Sequence, residues 1–339
     1  MTEKVFARGL IVVLFAGCLA SIASAQSSWW RTYGDSLADN GHAVRQTADG
    51  GYIIGGSTAS FGAGVTDVYL VKTDASGMVS WTKTFGGSGY DEGRSVLQTS
   101  DSGYVVVGQT ASIGAGSSDV YLIKTDAQGS LQWTPKTFGG PQMDVGRSIQ
   151  RTADGGYIIA GYTQSPGGPY DVYLIKTDAD GGTSWTRTYG GSDDDGGLSV
   201  QQTQDGGYII AGYTRSSGAG MADVYLVRTD STGDSLWTKT FGGIDNDDGA
   251  SVQLTLDGGY IVAGSTRSTS TGSFDLYLIK TDDLGAREWV KILGGQGDEF
   301  GWSVYRTRHE YIITGSTSSY GAGQSDVYLI KTDANGNVK

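Results

Sequence analysis

Six acidic side chains, Asp39, Asp91, Asp144, Asp195, Asp247 and Glu299, each stand five residues after the glycine of a repeated turn. Hard cations take carboxylate oxygens, so six such groups around one opening would form a cation site, with calcium first among the candidates. The competing chemistry is local, because aspartate also accepts hydrogen bonds from the amides of its own loop in Asx-type turns. Further acids at Asp193, Asp194, Asp245, Asp248 and Asp298 crowd the same loops. No D-x-D-x-D-G calcium loop is present, and Asp178-Ala179-Asp180-Gly181 reads as a hairpin turn.

Three residues beyond each acid the chain carries His42, Arg94, Arg147, Leu198, Ala250 and Trp302, the most diverse position of a regular pattern. A catalytic site needs different groups in different roles, so a symmetric protein must break its symmetry to build one. His42, Arg94, Arg147 and Trp302 beside the acids could hold an anionic or sugar-like ligand. No nucleophile, base and orienting group come together, so no catalytic residue is assigned. Lys124 and Asp126, typical of a repeated K-T-D, are expected to satisfy each other or nearby turn amides.

Composition removes other chemistries. Two histidines, His42 and His309, and one cysteine, Cys18, cannot make a histidine-rich zinc site, a cysteine metal site or a disulfide framework. Acidic residues outnumber basic ones by 36 to 24, which opposes a sequence-independent grip on nucleic acid or an anionic membrane.

The elements that carry these residues follow from a repeat. Trp29, Trp81, Trp133, Trp185, Trp237 and Trp289 recur every 52 residues. D-V-Y-L-I-K-T-D and D-G-G-Y-I-I-A-G type runs recur with them. Each unit holds four short runs rich in Val, Ile, Tyr, Thr and Trp, bounded by Gly, Asp and Ser, which is the pattern of strands and turns. No window shows a helical period over three turns. Four strands per unit, six times, predicts an all-β, six-bladed β-propeller with four antiparallel strands per blade. The sixth unit stops where its tryptophan strand should begin, so the strand from Trp29 to Gly34 is expected to join the last blade and close the ring. A fragment of a longer array is the alternative. The tryptophans are read as packing between blades rather than as sugar-stacking rings.

Gly86-Gly-Ser-Gly-Tyr-Asp-Glu-Gly93, the run G-Y-I-I-A-G-Y-T-R-S from Gly207 and D-V-Y-L-I-K-T-D-A-Q-G from Asp119 resemble the secreted bacterial β-propeller repeat described as seven-bladed. The D-x-x-G-x-x-x-W run, as in Asp74 to Trp81, is similar to the tryptophan-docking repeat of quinoprotein propellers. The resemblance implies an extracellular propeller. It brings no agreed activity, and neither it nor the quinoprotein likeness supplies cofactor or catalytic residues here.

Lys4 and Arg8 precede an apolar run from Leu10 to Ile22, and Ala23-Ser24-Ala25 then offers a signal-peptidase site. Residues 1–25 are therefore expected to be a signal peptide and 26–339 a single propeller domain without a transmembrane span. Phe15-Ala16-Gly17-Cys18 offers a competing lipobox that would tether the protein through Cys18. The expected product is a secreted or cell-surface monomer that binds a protein or carbohydrate, or serves as a scaffold, without catalysis. The alternatives are a polysaccharide hydrolase or lyase with its site at the channel mouth, and a multivalent lectin-like propeller. No cofactor is expected beyond possible calcium.

Overall fold

Val-, Ile- and Tyr-rich runs set off by Gly, Asp and Ser turns fold as antiparallel strands in a computed structural model that describes residues 29–268 and 273–339, with no helix among them. The expected signal peptide and Cys18 lie outside the described residues. Residues 32–339 form one compact unit.

The strands make six blades arranged as a β-propeller. Blade one runs from an inner strand, Asp39–Gln46, through Tyr52–Thr58 and Asp67–Thr73 to an outer strand, Val79–Phe85, each paired with its sequence neighbour. The later inner strands are Asp91–Gln98, Asp144–Arg151, Asp195–Gln202, Asp247–Leu254 and Glu299–Arg306. Six blades stand where the family resemblance carries the number seven. In blade two the outer strand shrinks to Lys136–Phe138, because Pro135 has no N–H to give to the ladder.

The core lies between blades. Third strands such as Asp119–Thr125 are buried along their whole length, and their apolar residues meet the inner and second strands of the next blade. Ile209 and Leu226 of blade four thus share a cluster with Val252, Tyr260 and Val262 of blade five. Trp81, Trp133, Trp185, Trp237 and Trp289 each seal the outer part of a junction. The Trp81 indole N–H donates to the Ala127 carbonyl of the next blade at 3.0 Å, and its ring stands edge-on to Tyr104 with centroids 5.7 Å apart. The turn glycine of D-x-x-G lies on that ring: Gly129 has φ +79°, and a Cβ there would sit 3.0 Å from the Trp81 ring. The same contact joins Gly285 to Trp237 and Gly336 to Trp289.

The expected closure by the strand from Trp29 to Gly34 is not formed. The sixth sheet has three strands, ending at Asp326–Asp333, and residues 29–34 pair as no strand. The start of the fourth position is held instead by the C-terminal residues: Val338 bridges Thr332, and the Lys339 N–H donates to the Lys331 carbonyl at 3.0 Å. The junction from blade six to blade one is correspondingly unpacked. Val327 and Leu329 are 86% and 67% exposed, whereas their counterparts Leu276 and Leu278 in blade five are 0% exposed. A Cβ on Gly41 of blade one would touch only Ile54 of its own blade, while the matching Gly93 touches Val68 and Gly56 of the preceding one.

Replacing Trp237 by alanine should destabilise the protein by about 3 kcal/mol in denaturant unfolding, the usual cost of a large aromatic at a packed junction. Gly285→Val should act in the same direction through the same ring. A loss well under about 1 kcal/mol in both variants would show that the indole is not what holds the junction.

Candidate functional site

The acid that opens each inner strand faces its own loops. Asp91 accepts the Gly87 N–H at 2.9 Å and the Ser112 hydroxyl at 2.6 Å. Asp195 does the same with Gly191 at 2.9 Å and Ser216 at 2.7 Å, and Asp247 with Gly243 at 2.9 Å and Ser268 at 2.6 Å. Asp39 takes the Asp35 N–H and the Thr58 and Ser60 hydroxyls, Glu299 the Gly295 N–H and the Thr317 hydroxyl, and Asp144 the Gly140 N–H. Each carboxylate therefore ties the loop entering its blade to the turn after its second strand. Apart from the half-buried Asp39, all of them are buried.

A second acid, missed as a partner in the sequence, closes on the first. It opens the third strand of the preceding blade. Asp67 and Asp91 meet on either side of Gly86, where any Cβ would collide with both carboxylates. Asp171 with Asp195, Asp223 with Asp247, and Asp275 with Glu299 repeat the arrangement around Gly190, Gly242 and Gly294. Burial pushes Asp67, Asp171, Asp223 and Asp275 above the usual carboxylate range, and the neighbouring acid adds to the shift. Among the described residues no group of three or more His, Cys, Asp or Glu side chains is placed to hold a metal ion.

The opposite end of the blades uses carboxylates differently. Lys124 reaches Asp101 at 2.7 Å rather than the expected Asp126, which accepts the Gln128 and Ser130 N–H groups of its own turn. Lys72 with Asp49, Lys176 with Asp154 and Lys280 with Asp257 repeat the pair at 2.7, 2.8 and 2.9 Å. The hydrogen bond from Lys176, helped by Thr152, draws Asp154 down to about 2. Burial works against the same shift at Asp101, but Lys124 and Thr99 outweigh it and bring the group to about 2.

The residues that break the symmetry share one backbone feature. In blades one, two, three, four and six the inner strand bulges at the diverse position, so His42, Arg94, Arg147, Leu198 and Trp302 have no partner in the neighbouring strand. In blade five the bulge leaves out both Gly249 and Ala250. Bulges re-aim side chains and recur beside functional sites. His42 and Arg94 are brought together by a residue that the sequence reading missed. Glu92 binds His42 Nε2 at 2.6 Å and an Arg94 guanidinium nitrogen at 2.7 Å, and accepts the Tyr90 hydroxyl at 3.2 Å. Burial would raise Glu92, which is 2% exposed, but the hydrogen bond from His42 and the charge of Arg94 hold it below the usual range. Its signal lay one residue past the acid, where Asn40, Glu92, Val145, Gly196, Asp248 and Phe300 are more diverse still.

Arg147 and Trp302 stand apart from that cluster. The Arg147 guanidinium lies 5.4 Å from the centre of the Tyr162 ring. Trp302 is stacked on Phe300, with centroids 5.3 Å apart, and Phe300 in turn meets Phe274 at 5.2 Å. The Trp302 ring remains 56% exposed. His309 sits at the other end of the blades, in a pocket with Arg306, Trp289 and Glu310.

No protein-family model matches the chain. The regulatory protein FlaEY of Caulobacter vibrioides is 26% identical over 264 residues, covering 70% of this chain and 27% of that protein, so the chain spans about a quarter of its relative's length. Among solved structures, the fold is similar to a Bacteroides uniformis protein assigned as a 6-phosphogluconolactonase, with a TM-score of 0.50, 12% identity and 87% of each chain covered. The WD40 propeller domain of Doa1 gives 0.47 and 15%, over 82% of this chain and 74% of that one. At these identities the likeness to the solved structures is one of fold alone.

Two expectations follow. Carboxylates raised by folding stabilise the protein below their ordinary value of 3.8 and lose that contribution as pH rises through the folded value. Carboxylates lowered by folding stabilise it above 3.8 and lose that contribution as pH falls toward about 2. The melting temperature should therefore rise on mild acidification from pH 7 and fall again below about 4. Asp223→Asn should raise the melting temperature at neutral pH and flatten the first limb, and a flat wild-type profile would refute the pairing. Melting in excess calcium and in EDTA should coincide, because each ring acid is tied to its own loop through at least one carboxylate oxygen and, among the described residues, no group of three or more such side chains is placed to hold a metal ion. A calcium-specific rise that EDTA reverses would restore the cation reading.

Proposed function

We propose that the protein is a secreted or cell-surface binding or scaffold module, without catalysis, that meets its partner through the bulged residues of its inner strands. The observation that carries this reading is the division of labour between repeated and unrepeated side chains. The repeated acids and lysines are engaged within and between blades, whereas the residues that differ from blade to blade occupy the bulges. They offer two kinds of contact. Arg147 suits an anionic group, and the exposed Trp302 on its aromatic stack suits a flat apolar surface such as a sugar ring or an aromatic side chain. The leader-like first 25 residues support export, and a regulatory protein among the relatives fits a role exerted by binding.

Labelled protein titrated onto bacterial cell envelopes and onto a glycan array tests the proposal. Saturable binding to either is expected, weakened at least tenfold by Trp302→Ala, with an unchanged melting temperature. No wild-type binding on either surface, or full binding by the variant, would overturn it.

A further inference from the structure

The central channel has a wall that offers mainly hydrogen-bond donors. It encloses a cavity of about 480 Å³ lined by the inner strands of all six blades. Successive inner strands are joined there by side chains rather than by a sheet ladder. The Val200 N–H donates to Ser148 Oγ, Val252 to Ser199 and Val304 to Ser251, at 3.3, 3.2 and 3.2 Å. One step further along, the Gln202, Leu254 and Arg306 N–H groups donate to the side-chain oxygens of Gln150, Gln201 and Gln253.

These bonds fix which atoms are left over. A backbone N–H can only donate, so each glutamine must turn its oxygen to it, which leaves the amide NH₂ for the cavity. Each serine likewise accepts through its oxygen and keeps its hydroxyl hydrogen free. Arg45 adds a guanidinium group, and no Asp or Glu is among the described residues that line the cavity. Arg151 also reaches the wall, but its guanidinium lies against the Gly155 turn, in a second pocket shared with Asp101 and Lys124. Arg45 forms no ion pair with a carboxylate among the described residues and donates only to the Val44 carbonyl beside it. On a chain with a net charge of −12 this is a local inversion of sign, inside a cleft whose low-dielectric walls strengthen it.

We propose that the channel binds a small oxyanion, a carboxylate, phosphate or sulfate, between Arg45 and the serine and glutamine donors of blades three to five. A tetrahedral or planar oxyanion accepts from several donors at once, and charge-assisted bonds of this kind are the strong ones. The site lies further along the inner strands than the bulges and does not depend on the partner proposed for them.

The test titrates the full chain by calorimetry with inorganic phosphate, sulfate and citrate, each at an ionic strength held constant with sodium chloride. At least one should bind above the chloride background: phosphate and sulfate alone would mark a tetrahedral ligand, citrate alone a carboxylate. Arg45→Gln should weaken binding about tenfold or more, and Arg45→Lys should retain part of it. Gln201→Glu, which keeps an oxygen on the Leu254 N–H but places a negative charge in the cavity, should abolish it. Trp302→Ala should leave it unchanged, so failure at the bulges and failure in the channel are read separately. No binding above chloride by any of the three anions, or equal binding by wild type and the arginine and glutamate variants, would overturn the proposal.

Discussion

A blade of this protein cannot bury its own apolar surface, and only another blade laid against it can. Third strands such as Asp119–Thr125 are apolar on both faces, and one face has no cover until the next blade arrives. The tryptophan under the turn glycine fixes where that blade must sit. A side chain larger than hydrogen at Gly129 or Gly285 would press on the ring and loosen the junction between the two blades. Every polar feature at the two ends, and every donor in the channel, inherits its position from that contact.

Carboxylates show how one repeat places the same group in two electrostatic settings. Where third and inner strands begin, Asp223 shares with Asp247 a space kept open by Gly242, and burial, with the neighbouring acid adding to it, disfavours the charge of Asp223. Where those strands end, Asp154 meets Lys176 and is held ionised. Repetition multiplies both effects, so the titration of the whole protein reflects a few environments, each present several times. The exceptions are single copies. Glu92 is buried like a structural acid, yet no other blade has a glutamate at its position or a histidine at the position of His42, which binds it.

The period of 52 and the recurring tryptophans made the six blades legible before any coordinates, because each strand announces itself six times. The partner of Lys124 was not legible. Asp101 lies in the turn between its blade's first two strands, and only antiparallel folding brings it closer than the sequence neighbour Asp126. Glu92 was missed for the opposite reason: a search guided by repetition passes over an unrepeated residue. The bulge at the diverse position leaves no mark in residue types, since it is a matter of strand register. Closure by Trp29 to Gly34 followed from counting strands, and counting is blind to the C-terminal residues that occupy the start of the fourth position on the sixth sheet.

The unpacked face of blade six bears on how the molecule comes apart. Blades two to five are held on both sides, whereas blades one and six each have a single packed neighbour. In an array whose stability is a sum of units and nearest-neighbour interfaces, opening begins at the ends and moves inward one blade at a time. Amides in blades three and four are then the last to exchange with solvent. The diverse bulges of blades one and six sit on the units that open first, while the Arg147 bulge of blade three is carried by the slowest-exchanging part of the chain.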